Sequence, residues 1–152
     1  MNIHIMPVRR FLKLEDVPEG AAAVISTSQE LDFSGVTVPY VVAEYMDFDY
    51  ESSRSFSVQH ALRFKEFLEN MGLVTDLFVC CDAGESRSPA LAAAIHRWLG
   101  RSDSFIWENP HYHPNMLVYQ IFLETVGIDL SDDEIDYLIH TNQTAFRKAK
   151  MG

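Results

Sequence analysis

One short segment combines a sulfur nucleophile with an arginine at a spacing that suits phosphoryl transfer. Cys81 and Arg87 enclose five residues, Asp-Ala-Gly-Glu-Ser, and Ser88 follows directly. A loop that joins the carboxyl end of a strand to the amino end of a helix turns its backbone N–H groups inward, and the helix dipole adds positive charge there. We therefore predict an oxyanion site in the 81–87 loop, with the Cys81 sulfur at its floor.

Each residue type in this loop suits one task of that chemistry. The thiolate is the nucleophilic form of cysteine, and the loop N–H groups, the helix N-terminus and the Arg87 guanidinium all favour it. Arg87 can bind two phosphoryl oxygens through a bidentate fork, which a lysine cannot do. Gly84 permits the positive φ that curls the backbone around an anion, and Ser88 can donate to the sulfur as it leaves. The residues predicted to bind the phosphoryl group are Asp82, Ala83, Gly84, Glu85, Ser86 and Arg87.

From Cys81 to Ala90 the chain reads Cys-Asp-Ala-Gly-Glu-Ser-Arg-Ser-Pro-Ala, which resembles the signature of the cysteine-dependent protein tyrosine phosphatases. It is most similar to compact, bacterial-type members of the dual-specificity subclass, and the order of elements extends the resemblance more weakly over residues 3–126. The resemblance implies hydrolysis of a phosphomonoester through a cysteinyl-phosphate intermediate, without a metal or organic cofactor and with an aspartate general acid upstream of the cysteine. The family usually has histidine at the position of Cys80.

Two aspartates stand where that general acid is expected. Residues 40–46 predict a strand, and Asp47 and Asp49 follow it on either side of Phe48. Asp47 lies directly at the predicted strand end, so we take it as the general acid and Asp49 as the alternative. An aspartate that follows a strand can also serve only to cap a turn.

The surrounding elements predict an α/β fold with a mainly parallel sheet and helices on both faces. Residues 76–80 form a short apolar run typical of a buried strand, and Ser88 is expected as the N-cap of a helix that begins at Pro89 and ends before Gly100. Because ligands bind such sheets at the carboxyl ends of the strands, the acid and the cysteine are expected at one edge. The other predicted elements are strands at 2–6 and 21–26, a short amphipathic segment at 9–14, a loop at 27–38, and helices at 57–71 and 116–123.

Length, composition and charge limit the remaining classes. A chain of 152 residues with 47% hydrophobic residues predicts one catalytic domain over residues 1–152. The absence of a long apolar run and of a basic-then-apolar leader favours a cytoplasmic protein without membrane attachment. The net charge of −10 argues against nucleic-acid binding. The expected partner is a phosphorylated protein or a small phosphomonoester, and we expect the carboxylates of Asp82 and Glu85 to repel substrates with several clustered phosphates.

Four other interpretations of the sequence remain open. The low-molecular-weight phosphatase and arsenate-reductase type shares the cysteine-to-arginine spacing, but its signature follows the first strand and its acid lies downstream. Rhodanese-like sulfur transfer usually lacks Arg87 and Ser88 at this spacing, and a non-catalytic phosphate-binding module would not need both Cys81 and Arg87. Finally, His111 and His113 could hold a metal, although an exposed turn or a loop at the active-site rim explains them without one.

Overall fold

The fold is a four-stranded parallel sheet that carries helices on both faces, which confirms the predicted α/β class. The computed structural model describes all residues, Met1–Gly152. The strands are β1 Asn2–Pro7, β2 Ala21–Thr27, β3 Tyr40–Glu44 and β4 Asp76–Cys81. The helices are α1 Val8–Leu12, α2 Val58–Asn70, α3 Arg87–Trp98, α4 Ser104–Trp107, α5 Met116–Thr125 and α6 Asp132–Met151.

The strand that precedes the 81–87 loop is central in this sheet. The strand order is β1-β4-β2-β3, and every neighbouring pair is parallel. All residues of β4 except Asp76 are buried, as the apolar run predicts for a strand covered on both faces. The carboxyl ends of β1, β2 and β4 therefore meet at one edge, where the 81–87 loop begins.

Alternate residues of β4 face two separate hydrophobic clusters. Leu77 and Val79 pack in the larger cluster, which has 23 buried residues and includes residues of α2, α3 and α5. Phe78 and Cys80 pack in a smaller cluster of seven buried residues, which includes two residues of α1. Apolar side chains of the 31–38 loop pack against this cluster. Because side chains alternate along a strand, Cys81 returns to the face of the larger cluster, toward α3.

The start of α3 differs from the prediction. The helix begins at Arg87, with Ser86 rather than Ser88 at the N-cap position, and Ser86 makes no side-chain capping bond. Ser88 is the second helical residue and its hydroxyl contacts the Cys81 sulfur instead. The helix ends at Trp98 with Leu99 as its C-cap, and the next residue, Gly100, takes a φ of +73°, as the predicted stop at this glycine requires.

Other boundaries shift by one or two residues. The predicted 40–46 strand ends at Glu44, after which the Tyr45 amide bonds to Thr27 and the Met46 amide turns to Arg54. Helix α2, predicted over residues 57–71, spans Val58–Asn70 with Ser57 as its N-cap, and α5 begins at Met116 with Asn115 as its N-cap. No helix is both long enough and apolar enough to cross a membrane.

Candidate active site

The predicted nucleophile, Cys81, lies at the floor of the 81–87 loop and is 1% exposed. Its sulfur accepts the backbone N–H of Gly84 at 3.2 Å and lies 3.1 Å from the Ser88 hydroxyl. The Gly84 N–H thus points at the sulfur, and the Ser88 hydroxyl is within hydrogen-bond reach of it. The structure thus brings together Cys81 and Ser88 as the sequence predicts.

The loop backbone curls tightly because of Gly84. This residue has a φ of +72°, and a Cβ atom there would lie 2.8 Å from Pro7 of β1. Among residues 82–86, only Gly84 donates its backbone N–H to a protein acceptor. The amides of Asp82, Ala83, Glu85 and Ser86 therefore keep their donor capacity for an anion.

Arg87 is almost fully buried, and its guanidinium is partly committed to the protein. Nη1 donates to the Tyr45 carbonyl at 2.8 Å and to the Ser28 hydroxyl at 3.3 Å, and Nη2 donates to the Asp82 carboxylate at 2.9 Å. An arginine has five N–H donors, so two remain, one on Nη2 and one on Nε. Nε is buried and has no partner. These two donors belong to neighbouring nitrogens and can form the predicted bidentate fork.

The sequence suggests that the Asp82 carboxylate repels phosphate-rich substrates, but in the structure this side chain is committed to hydrogen bonds within the protein. Its carboxylate turns toward the end of β2, where it is 15% exposed and bonds to Thr27, Ser28 and Arg87. Partial burial raises the pKa of this carboxyl, but the hydrogen bonds from Thr27, Ser28 and Arg87 outweigh that effect and hold its pKa below the ordinary value. Glu85, in contrast, is exposed.

The acid segment, residues 46–50, places Asp47 against the 81–87 loop. One oxygen of the Asp47 carboxylate accepts the Ser86 hydroxyl at 2.8 Å and the Asn115 side-chain amide at 2.8 Å. Asp47 is otherwise exposed, and it lines a groove of about 470 Å³ together with Asp49. Asp49 is also exposed, and no hydrogen bond joins it to the loop. Asp47, and not Asp49, is therefore the carboxylate that hydrogen bonds hold against the 81–87 loop.

Asn115 is a site residue that the sequence analysis missed. It is 4% exposed, its amide nitrogen donates to Asp47 and to the Phe48 carbonyl at 3.0 Å, and its amide oxygen caps α5 by accepting the Val118 N–H. Asparagine before an apolar helix is an ordinary capping signal, and nothing in the local pattern shows that its second function is to reach the acid segment.

The segment before α5 also supports the back of the loop. The backbone N–H groups of His113 and Asn115 donate to the carbonyls of Glu85 and Ser86, at 2.8 and 3.1 Å. His113 thus lies at the rim of the loop, one of the two places considered for it. No group of three or more His, Cys, Asp or Glu side chains is arranged to hold a metal ion.

Comparison with known proteins gives fold neighbours only. No family model matches the chain, and no curated protein matches it. Among solved structures, human DUSP28 aligns with 13% identity and a TM-score of 0.47, over 98% of this chain and 94% of its own. PTPMT1 aligns with 14% identity and a TM-score of 0.42, over 99% of this chain and 96% of its own. At this distance, function has to be inferred from the residues of the site.

Proposed function

We propose that this chain is a phosphomonoester phosphatase of the protein tyrosine or dual-specificity type, acting through a cysteinyl-phosphate intermediate. The observation that carries the proposal is the arrangement around Cys81. The sulfur accepts the Gly84 N–H and lies 3.1 Å from the Ser88 hydroxyl, in a loop with four free backbone amides and two free N–H groups of a buried arginine. Such a cluster of donors stabilises an oxyanion, and its central nucleophile makes it a site for phosphoryl transfer.

The first displacement transfers the phosphoryl group to sulfur. The Cys81 thiolate attacks phosphorus, the bond to the leaving oxygen breaks with its electron pair, and Asp47 donates a proton to that oxygen. The free amides of the loop and the Arg87 fork hold the equatorial oxygens, where negative charge is concentrated in the transition state. Ser86 and Asn115 hold the acid beside the loop through their bonds to the Asp47 carboxylate.

The second displacement frees the enzyme. Water attacks phosphorus, the ionised Asp47 takes its proton, and the bond between sulfur and phosphorus breaks with the electron pair returning to Cys81. The Ser88 hydroxyl, 3.1 Å from the sulfur, donates to the thiolate as it forms. The products are inorganic phosphate and the free thiolate, and neither step needs a metal or an organic cofactor.

The proposed substrate is a phosphorylated protein side chain or a small phosphomonoester. The acid reaches the loop from upstream in the chain, and the signature follows the fourth strand rather than the first. Both features favour the dual-specificity arrangement over the low-molecular-weight phosphatase and arsenate-reductase type.

The decisive experiment is hydrolysis of p-nitrophenyl phosphate by the parent and by Cys81→Ser, each with and without EDTA. We expect Cys81→Ser to lose turnover by about 10³-fold or more while still binding inorganic phosphate or tungstate, because the donors of the loop remain. Cys80→Ala, which removes the neighbouring thiol from the opposite face of the strand, should retain parent activity.

Two results would count against the mechanism. Full turnover by Cys81→Ser would exclude a cysteinyl-phosphate intermediate. Loss of the parent's activity with EDTA would instead point to hydrolysis by a bound metal ion.

A further inference from the structure

The Asp82 carboxylate is unusual for an anion-binding loop, since a negative charge there opposes the binding of a phosphoryl group. Its position is nevertheless well defined. One oxygen accepts the Thr27 hydroxyl, and the other accepts the backbone N–H and hydroxyl of Ser28 at 3.1 and 2.9 Å and Nη2 of Arg87 at 2.9 Å. Four donors on a partly buried carboxylate indicate a structural task within the site rather than a charge left at its surface.

The partners of Asp82 also determine which donors of Arg87 stay free. The Ser28 hydroxyl donates to Asp82 and accepts from Nη1 of Arg87 at 3.3 Å, so serine, carboxylate and guanidinium form a closed triangle. The Tyr45 carbonyl takes the other Nη1 donor. Both donors of Nη1 and one donor of Nη2 are therefore bound to the protein. The edge formed by Nε and the other Nη2 donor is left for a ligand.

We propose that Asp82 is a positioning residue, which together with Ser28 fixes the Arg87 guanidinium so that its Nε edge faces the phosphoryl oxygens. Thr27 is the last residue of β2 and Ser28 follows it, so the end of this strand holds the Asp82 carboxylate, and Asp82 in turn orients the Arg87 guanidinium. This inference rests on the proposed function for its catalytic meaning, but the aim of Arg87 toward an oxyanion can be measured without turnover.

Two effects of Asp82 on anion binding have opposite signs, and this makes the proposal testable. If Asp82 acted only as a nearby negative charge, its neutralisation would tighten the binding of an oxyanion. If Asp82 positions Arg87, its neutralisation frees the guanidinium to rotate and weakens the same binding, since the fork is no longer preorganised.

The test compares the parent with Asp82→Asn by calorimetric titration with tungstate and by the kinetics of p-nitrophenyl phosphate hydrolysis. We expect the tungstate Kd to rise about tenfold, and kcat to fall by roughly 10- to 100-fold with a smaller change in KM, because misaligned donors affect the transition state most. An unchanged or lower tungstate Kd in Asp82→Asn overturns the proposal.

Asp76→Asn is the matched control. Asp76 lies at the opposite end of β4 and also accepts side-chain hydrogen bonds, from Asn2, His4 and Thr75, but it is remote from the loop. Its substitution should leave the tungstate Kd unchanged. Ser28→Ala, which removes the bridging hydroxyl, provides a milder second variant should Asp82→Asn fail to fold, and its Kd should rise by a smaller factor. An unchanged Kd in Ser28→Ala would also count against the proposal.

The Arg87→Lys background tests whether Asp82 acts through Arg87. Since lysine has no fork to aim, Asp82→Asn should no longer weaken tungstate binding in that background. A loss of the same size as in the parent would show that Asp82 acts on the loop independently, which overturns the proposal. A parent that binds tungstate but hydrolyses nothing would contradict the proposed function alone, whereas hydrolysis with unchanged tungstate binding in Asp82→Asn would contradict only the positioning role.

Discussion

The 81–87 loop and the acid segment provide the two halves of the proposed chemistry, yet the fold holds them in different ways. The loop is buried at Cys81, Gly84 and Arg87 and is bonded to β2 and to the residues before α5. The acid segment is mostly exposed, and its carboxylate reaches the loop through one oxygen that accepts from Ser86 and Asn115.

This difference indicates that the two regions have separate tasks. The 81–87 loop acts as a fixed cradle for the anion, and the acid segment acts as an adaptable proton donor. Interiors are close-packed, so the buried residues of the loop have a single arrangement and can be preorganised for an anion. An exposed segment with few contacts opens at low cost in free energy. We infer that anion binding depends on the loop, whereas leaving-group protonation depends on whether Asp47 is docked on Ser86 and Asn115.

The largest expected effect on the acid side is that of Asp47→Asn. An amide cannot donate an acidic proton, so hydrolysis of phenyl phosphate should fall by about 10²-fold or more. Hydrolysis of 2,4-dinitrophenyl phosphate, whose leaving group needs no proton, should change little. Tungstate affinity should also stay close to that of the parent, since the cradle is intact, and a large loss would mean that the two regions are not independent.

Asp49→Asn is the natural control, because Asp49 lies two residues away on the same groove and lacks a bond to the loop. We expect little change with either substrate. If Asp49→Asn shows the leaving-group dependence instead, the assignment of the acid is wrong. If both variants behave like the parent, the proton comes from outside the acid segment.

The sequence predicts the cradle better than the acid for the same physical reason. The contacts that define the loop are mostly local: a buried strand, a glycine that accepts positive φ, and a helix that follows within seven residues of Cys81. Arg87 and Ser88 are therefore correctly placed by spacing alone, although the N-cap is misassigned because the Ser88 hydroxyl turns to sulfur. The bond from Asn115 to Asp47 spans 68 residues, and no local pattern encodes it.

Long-range contacts also explain why the sequence does not predict the surroundings of Asp82. From sequence, a carboxylate in an anion-binding loop is read as a repulsive charge at the surface. Its true surroundings are Thr27 and Ser28, which are 55 and 54 residues distant and arrive only through the pairing of β2 with β4. The fold class, in contrast, follows from the alternation of strands and helices, and the structure confirms it.

A smaller effect, on stability rather than chemistry, tests the rigidity of the cradle. Gly84 and Gly72 have nearly equal φ values, +72° and +73°, but a Cβ at Gly84 would lie 2.8 Å from Pro7 whereas one at Gly72 meets nothing within 4 Å. Gly72→Ala should lower the free energy of unfolding by about 1 kcal/mol, the strain of left-handed backbone. Gly84→Ala should lower it by about 1–3 kcal/mol more, the expected cost of overpacking, with weaker tungstate binding.

Denaturant unfolding of the two variants measures that difference directly. Because Gly72 supplies the conformational strain without the close contact, the excess in Gly84→Ala reports the packing of the loop against β1. Equal losses in the two variants would mean that the loop moves away from Pro7 without resistance, and the contrast between a fixed cradle and an adaptable acid would then be wrong.

The smallest expected effect is that of Cys80→Ala, which separates the two adjacent cysteines. Cys80 is fully buried in the smaller cluster, and burial, with a contribution from Cys81, raises the pKa of its thiol. A thiol that stays protonated is a poor resolving nucleophile for an oxidised Cys81, and the two side chains lie on opposite faces of β4.

A bond between them would also be strained, because adjacent Cα atoms are held about 3.8 Å apart, closer than disulfides prefer. After peroxide treatment and thiol rescue, the parent and Cys80→Ala should therefore recover activity equally. Lower recovery in Cys80→Ala would show that β4 opens enough for Cys80 to reach Cys81, and the loop could not then be the rigid half of the site. Equal recovery would assign Cys80 to packing alone, which is consistent with its place in the smaller cluster.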